Sequence, residues 1–365
     1  MEIILLLLML QAALCTSVSS SRFREFHRGE DEMGWNEAQQ YCRERYTDLV
    51  TVHSQEEADH LLQMLGDGGG GWIGLHRGDG SDTWSDGDAS NFTNWLNPGG
   101  KEPPYCAAMT AEGEWETLSC TEERDFMCYN KEVTDPSLRY TLVEETRSWY
   151  DAQRDCRMSY TDLVSIKNQS HNEYLKDKGQ NIAPFWIGMI HDDWTWSDGG
   201  CSTYRNWPNG YPMKSPNDCV YMLNTAMGKW FNVRSNNNHF PLCYKVKLKI
   251  YLIDEPMTWE EAQQYCYIHH RSPLIIQSEQ DQNAVQQELQ CRNFSGYVWL
   301  GLRQSRLFGF WVWANGITVG WSNWEGGRQP EQPLSHICAA MAAGEGGFKW
   351  SDQDCLSKFS FLCEG

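Results

Sequence analysis

Cysteine is the side chain with the most chemistry in this chain, which has fourteen of them in 365 residues. Cys15 sits just after an apolar run from Ile3 to Leu14 and before small residues, and residues 1–20 read as a secretory signal peptide, although no basic residue precedes the run. Removing it leaves thirteen cysteines (fourteen less Cys15) in an oxidising compartment, where they build structural bridges. No Cys-x-x-Cys spacing occurs, so a redox catalyst is not indicated. Asn91-Phe92-Thr93, Asn168-Gln169-Ser170 and Asn293-Phe294-Ser295 are glycosylation acceptors in the same compartment.

Other reactive constellations are absent from the sequence. Gly66-Asp67-Gly68-Gly69-Gly70-Gly71 precedes an apolar strand instead of following one, and no Lys-Ser/Thr follows it, so it reads as a connection and not a phosphate loop. His269-His270 are adjacent and have no third partner in pattern, which suits a surface pair better than a metal site. With no Ser/His/Asp set and no zinc spacing, the chain reads as non-enzymatic. A net charge of −19 argues against nucleic acid and anionic lipid as partners. It is compatible with a hard cation such as calcium. No second apolar run follows the first, so no membrane insertion is expected and the mature protein should be secreted, soluble and extracellular.

The elements that must position these residues recur three times. Trp35 to Cys42, Trp149 to Cys156 and Trp259 to Cys266 each place Trp seven residues before Cys, two helical turns, with Ala38, Ala152 or Ala262 between. Each segment predicts an amphipathic helix. A short strand follows: Trp72-Ile73-Gly74-Leu75, Trp186-Ile187-Gly188-Met189, Trp299-Leu300-Gly301-Leu302. Turns at Trp84-Ser85-Asp86-Gly87, Trp196-Ser197-Asp198-Gly199 and Trp313-Ala314-Asn315-Gly316 suit hairpins. Asn94-Trp95, Asn206-Trp207 and Asn323-Trp324 come next, then a Pro/Gly-rich stretch, a Cys, a further Trp and a final Cys. Eighteen Trp can supply the cores of such small units. The expected boundaries are 21–131, 137–245 and 246–365.

These landmarks, in this order, resemble the C-type lectin-like domain, and several in series resemble the ectodomain of the macrophage mannose receptor family. The resemblance implies an α+β fold: three tandem domains, each with two helices, antiparallel sheets and a long loop region, stapled by disulfides. The family's pairing, carried onto this chain, gives Cys42–Cys128, Cys106–Cys120, Cys156–Cys243, Cys266–Cys363 and Cys338–Cys355. In copy two, Trp230 plus five is Ser235, so Cys219 lacks its usual partner. Cys201–Cys219 is the expected replacement bridge, which would leave Cys291 single and open to a disulfide-linked oligomer; Cys219–Cys291 is the alternative.

The resemblance also implies where a ligand binds. Sugar-binding members hold calcium with oxygens flanking a loop proline, an acid before the loop Cys, and Asn-Asp after the closing Trp. Copy one has Glu102-Pro103-Pro104 and Glu116-Thr117, and copy two Tyr211-Pro212-Met213 and Phe231-Asn232, so both sites read as lost. Asn217 stands before the copy-two loop Cys. Copy three keeps Gln329-Pro330-Glu331 and Ser351-Asp352, with His336 in place of the pre-Cys acid. Gln329, Glu331, Ser351 and Asp352 are therefore the candidate carbohydrate and calcium residues, Glu331 and Asp352 the candidate metal carboxylates, with Pro330 cis if calcium binds. The expected function is recognition of glycans or glycoproteins, in a setting such as innate immunity. The alternative is a calcium-independent protein-binding module using aromatics such as Tyr211 or Phe308-Phe310-Trp311.

Overall fold

Each copy begins its helical part with a capped helix that buries one stripe. The caps are Ser148 and Thr258, whose hydroxyls accept from Asp151 N (3.2 Å) and Glu261 N (3.4 Å). Gly34 instead gives its own N–H to Glu37 Oε2 at 3.3 Å. The computed structural model describes residues 22–365 apart from 67–68, 98–103, 132, 134, 136, 180–181, 214–217, 293, 306–308, 331–336 and 345–346. The expected signal peptide, Cys15 and Asn293 lie outside the described residues.

The helices are α1 (Trp35–Arg45), α2 (Gln55–Leu65), α3 (Trp149–Ser159), α4 (Gln169–Lys178), α5 (Trp259–His269) and α6 (Glu279–Cys291). Trp and Cys of α1, α3 and α5 are all buried, as two-turn spacing requires. The strands run from β1 (Arg24–Arg28), β2 (Asp48–Leu49) and β3 (Gly70–Trp84) through β4 (Tyr105–Met109), β5 (Trp115–Leu118) and β6 (Arg124–Tyr129). Next come β7 (Tyr140–Arg147), β8 (Asp162–Leu163), β9 (Phe185–Trp196), β10 (Cys219–Leu223), β11 (Lys229–Val233) and β12 (Phe240–Val246). The last are β13 (Ile250–Met257), β14 (Ser272–Pro273), β15 (Gly296–Gln304), β16 (Trp311–Trp313), β17 (Ile337–Ala343), β18 (Trp350–Asp354) and β19 (Phe359–Glu364).

Copy three closes on itself. Its seven strands run β13-β19-β15-β17-β18, with β14 on β19 and β16 folded back on β15 so that Leu302 faces Trp313. The glycine of each Trp-x-Gly strand is where backbones meet. A Cβ on Gly301 would lie 2.9 Å from Leu274 O, and one on Gly188 3.0 Å from Val164 O, so no larger residue fits.

Copies one and two do not close on themselves. Strands β1, β2 and β3 of copy one pair with β12 and β10 of copy two, and β4 and β6 of copy one pair with β9, β7 and β8 of copy two, within one twelve-stranded sheet. The strand pairing thus crosses between the expected units 21–131 and 137–245. Residues 22–77 with 194–246 make an outer unit, and 81–192 an inner one.

The disulfides follow the strands. The bridges are Cys42–Cys243 and Cys128–Cys156, with Cα–Cα distances of 5.3 and 5.4 Å, in place of the expected Cys42–Cys128 and Cys156–Cys243. Cys106–Cys120, Cys266–Cys363 and Cys338–Cys355 are as the resemblance implies. Cys201 joins Cys291 at the end of α6, not Cys219, so Cys291 is not available for the expected oligomer bridge. Cys219 is a buried free thiol, which burial pushes up to about 12.

A local difference accompanies the crossing. Ten residues (303–312) separate Leu302 from Trp313, but six (190–195) separate Met189 from Trp196. A hairpin closing copy two would turn at Asp192-Asp193, which lacks the glycine that the favoured two-residue turns carry. Short hinge loops favour exchange over closure. The strands instead run on, and Leu75 pairs with Trp196 and Trp84 with Met189. Arg77 locks the crossing: it ion-pairs with Asp193, reaches Asp218 at 3.1 Å, and lies 4.8 Å over the Trp194 ring.

Contacts across the repeats are specific. Gly74 O accepts from Ser197 N, and Gly188 O from Ser85 N. Asp86 Oδ2 of copy one accepts from Ser165 Oγ of copy two at 2.7 Å. Burial first, then the charge of Asp162, push Asp86 up to about 7. A carboxyl raised in this way favours the folded state while protonated. That contribution is full below the ordinary carboxylate range and is lost as pH rises through about 7. Asp86→Asn should therefore flatten the decline in melting temperature between roughly pH 4 and 7; an unchanged profile would exclude Asp86 as its source.

Candidate recognition site

The copy-three residues sit at one end of the sheet. Ser351 and Asp352 on β18 pair with Ala340 and Ala339 of β17 and are half-buried. Ser351 Oγ accepts from Gln353 Nε2 at 3.1 Å. Gln329 is exposed, in a loop tied back where Trp311 Nε1 donates to Pro330 O at 3.5 Å. Glu331 and His336 lie outside the described residues. The described donors are therefore one amide, one hydroxyl and one carboxylate. Calcium takes about six to eight oxygens, so these three side chains alone do not fit it. Among the described residues no group of three or more His, Cys, Asp or Glu is placed to hold a metal ion.

Copy two shows what becomes of a calcium-ligand position. Asn232, fully buried on β11, donates through Nδ2 to Met213 O at 2.9 Å, and its Oδ1 accepts from Met213 N at 2.8 Å. This two-point clamp pins the long loop beside Tyr211–Pro212, one of two cis X–Pro bonds among the described residues, with Ala183–Pro184. An aromatic ladder adjoins it. The Tyr211 and Phe231 rings meet edge-on at 4.9 Å, Phe231 stacks on Tyr221 at 5.7 Å, and Tyr221 stacks on His239 at 4.0 Å. All four are half-buried, so each ring keeps some accessible surface. Burial holds His239 down to about 4, leaving it neutral near pH 7. Tyr211 was legible as an exposed aromatic. The other three were missed, and the hint lay in Tyr221 and Phe231 being cross-strand partners on β10 and β11.

In copy one, Glu102 and Pro103 lie outside the described residues, and Glu116 and Thr117 are on β5. The closing Trp115 donates through Nε1 to Asn172 Oδ1 of α4 at 2.8 Å, a contact between repeats. In copy two Asn217 lies outside the described residues. Of the remaining candidate aromatics, Trp311 is buried core, Phe310 is exposed and Phe308 lies outside the described residues. His269 packs on Tyr265 and His270 on Tyr251, so both are aromatic surface contacts. Asn91 and Asn168 are exposed, and Asn168 caps α4 through Oδ1, which accepts from His171 N at 2.9 Å.

The lectin C-type domain pattern matches residues 31–130, 145–245 and 255–365. The chain belongs to this family. Among curated proteins this lectin-domain chain is similar to C-type mannose receptor 2 of Homo sapiens, with 24% identity over 92% of the chain and 26% of the relative. It is 28% identical to human Lymphocyte antigen 75, over 89% of the chain and 22% of that protein. It is 24% identical to the human Secretory phospholipase A2 receptor, over 90% and 27%. The chain thus spans about a quarter of the length of these relatives, all of the mannose receptor family. Among solved structures, human lithostathine aligns with 32% of the chain and 82% of its own length, at 24% identity and a TM-score of 0.29. Among the described residues no helix is long and apolar enough to cross a membrane.

Proposed function

We propose that this lectin-like recognition protein acts outside the cell, binding glycans or glycoproteins through its long-loop surfaces, and that the outer unit does so without calcium. The observation that carries this reading is the Asn232–Met213 clamp. In a calcium-dependent site the metal orders the loop and bridges to the sugar. Here a buried amide makes the ordering contacts, and the neighbouring Tyr211 and Phe231 offer ring faces and edges for contact with a ligand. Aromatic anchors of this sort dominate recognition energies, at about 2 kcal/mol or more each. Binding on a glycan and glycoprotein array should survive a chelator. It should weaken about thirty-fold in Tyr211→Ala. Loss of all binding with chelator, together with an unchanged Tyr211→Ala profile, would sink the reading.

A second reading rests on copy three, where Gln329, Ser351 and Asp352 keep oxygen-bearing side chains at the sugar-site positions. It places a glycan site there that would hold calcium only with Glu331 and further oxygens from the sugar or solvent completing the set. Asp352→Ala should then abolish whatever part of the array signal the chelator removes.

A further inference from the structure

We propose that residues 81–192 form one complete, circularly permuted lectin-like unit nested inside the outer unit, so that the recognition modules of this chain are not its sequence repeats. Every strand partner of the inner unit lies in one unbroken stretch. Residues Ser81 to Trp84 of β3 pair with β9, β4 pairs with β5 and β9, and β6 pairs with β7, β8 and β9. Repeat one ends at β6 and repeat two begins at β7, and these two strands are antiparallel neighbours joined by a short connection. The boundary between the sequence repeats is thus an internal hairpin of one unit.

The ends of the stretch meet, since Ser81 and Asp192 are direct partners. An element whose ends coincide can be inserted into a loop of a host without breaking it. The host loop is the one that copy three keeps as the β15–β16 hairpin. Both inner disulfides, Cys106–Cys120 and Cys128–Cys156, begin and end within the stretch. So does a whole core cluster, from Trp84 through Trp115, Leu175 and Phe185 to Met189. Another cluster, with Trp35, Cys42, Trp72, Cys219 and Cys243, belongs wholly to the outer unit. A third spans the seam and docks the two together.

The consequence for binding is that each loop region is composite. The closing strand of repeat one, β5, packs on α4 of repeat two, as the Trp115–Asn172 bond shows. The aromatic ladder of repeat two shares its sheet with β3 of repeat one, where the Trp72 ring lies 4.7 Å from His239.

Two engineered cuts in the full chain decide the matter. A protease recognition sequence inserted after Ser137 is cleaved in the native protein, which is then run in denaturing gel without reductant. Nesting predicts one species that separates only on reduction, because Cys42–Cys243 and Cys128–Cys156 both cross the cut. Separation without reductant would overturn it, since closed repeats share no bridge there. In a second chain, cuts at Gly80 and Asp193 should free the inner fragment without reductant. Retention of that fragment would overturn the proposal. If the inserted sequences block secretion, peptide mapping of the unaltered, non-reduced protein still decides. Linked peptides holding Cys128 and Cys156 support nesting, and peptides linking Cys42 to Cys128 reject it.

Discussion

Ser235→Cys will remove the buried free thiol and raise the stability of the outer unit by about 3 kcal/mol, the figure for a closed loop of roughly 15 residues. The geometry for this bridge is already built. Cys106 faces Leu118 and bonds to the Cys two residues on; Cys338 faces Gln353 and does the same. Cys219 faces Val233, which places Ser235 at the same offset. The backbone agrees as well. Cys120 O and Cys355 O accept from Trp149 N and Trp259 N, each at 3.0 Å, and Ser235 O accepts from Trp35 N at 2.7 Å. Thiol labelling under denaturation should fall from one reactive cysteine to none, and the melting temperature should rise by several degrees. A thiol count that rises to two would show that the outer unit does not follow the pattern of the other two.

Arg22→Ala will cost about 3 kcal/mol, the scale for removing one partner of a buried ion pair. Arg22 ties the start of the outer unit to copy three. Its Nε lies 3.2 Å from Asp281 Oδ2, its Nη2 2.8 Å from Glu364 Oε2 and 2.7 Å from Ile275 O. The Asp281 side chain is fully buried and that of Glu364 nearly so, which leaves two unpaired charges when the guanidinium goes. Phe23 beside it is buried in the copy-three core. The loss should appear in the copy-three transition and be smaller in an Arg22→Ala, Asp281→Asn double variant, which removes one of the stranded charges. Equal losses in both would show that the pair is not coupled.

The family and the units' cores were legible because their cause is repeated: Trp and Cys two turns apart, Gly where backbones touch, Trp before the final Cys. The crossing was not legible, because the same repetition makes Cys128 and Cys243 equivalent partners for Cys42. What separates them is the length of a turn and the pair Asp192-Asp193, features with no landmark of their own. Cys201–Cys291 was hidden for a related reason, since it joins a loop to a helix end in another copy, 90 residues away. At the copy-two site the loss of carboxylates was readable. The use of Asn232 as a clamp was not, because it is made through the backbone of Met213.

The Cys42–Cys243 bridge also sets how the molecule bears load. Tension applied between the two ends of the chain passes through this bond and skips the 201 residues of sequence that it spans. The inner unit lies wholly inside that shielded length, roughly 700 Å of extended chain that cannot pay out while the bond holds. Stretched between its ends, the protein should lengthen before Cys42 and between Cys243 and Cys266, because Cys266–Cys363 shields copy three in the same way, while the nested unit lies off the covalent path of the force.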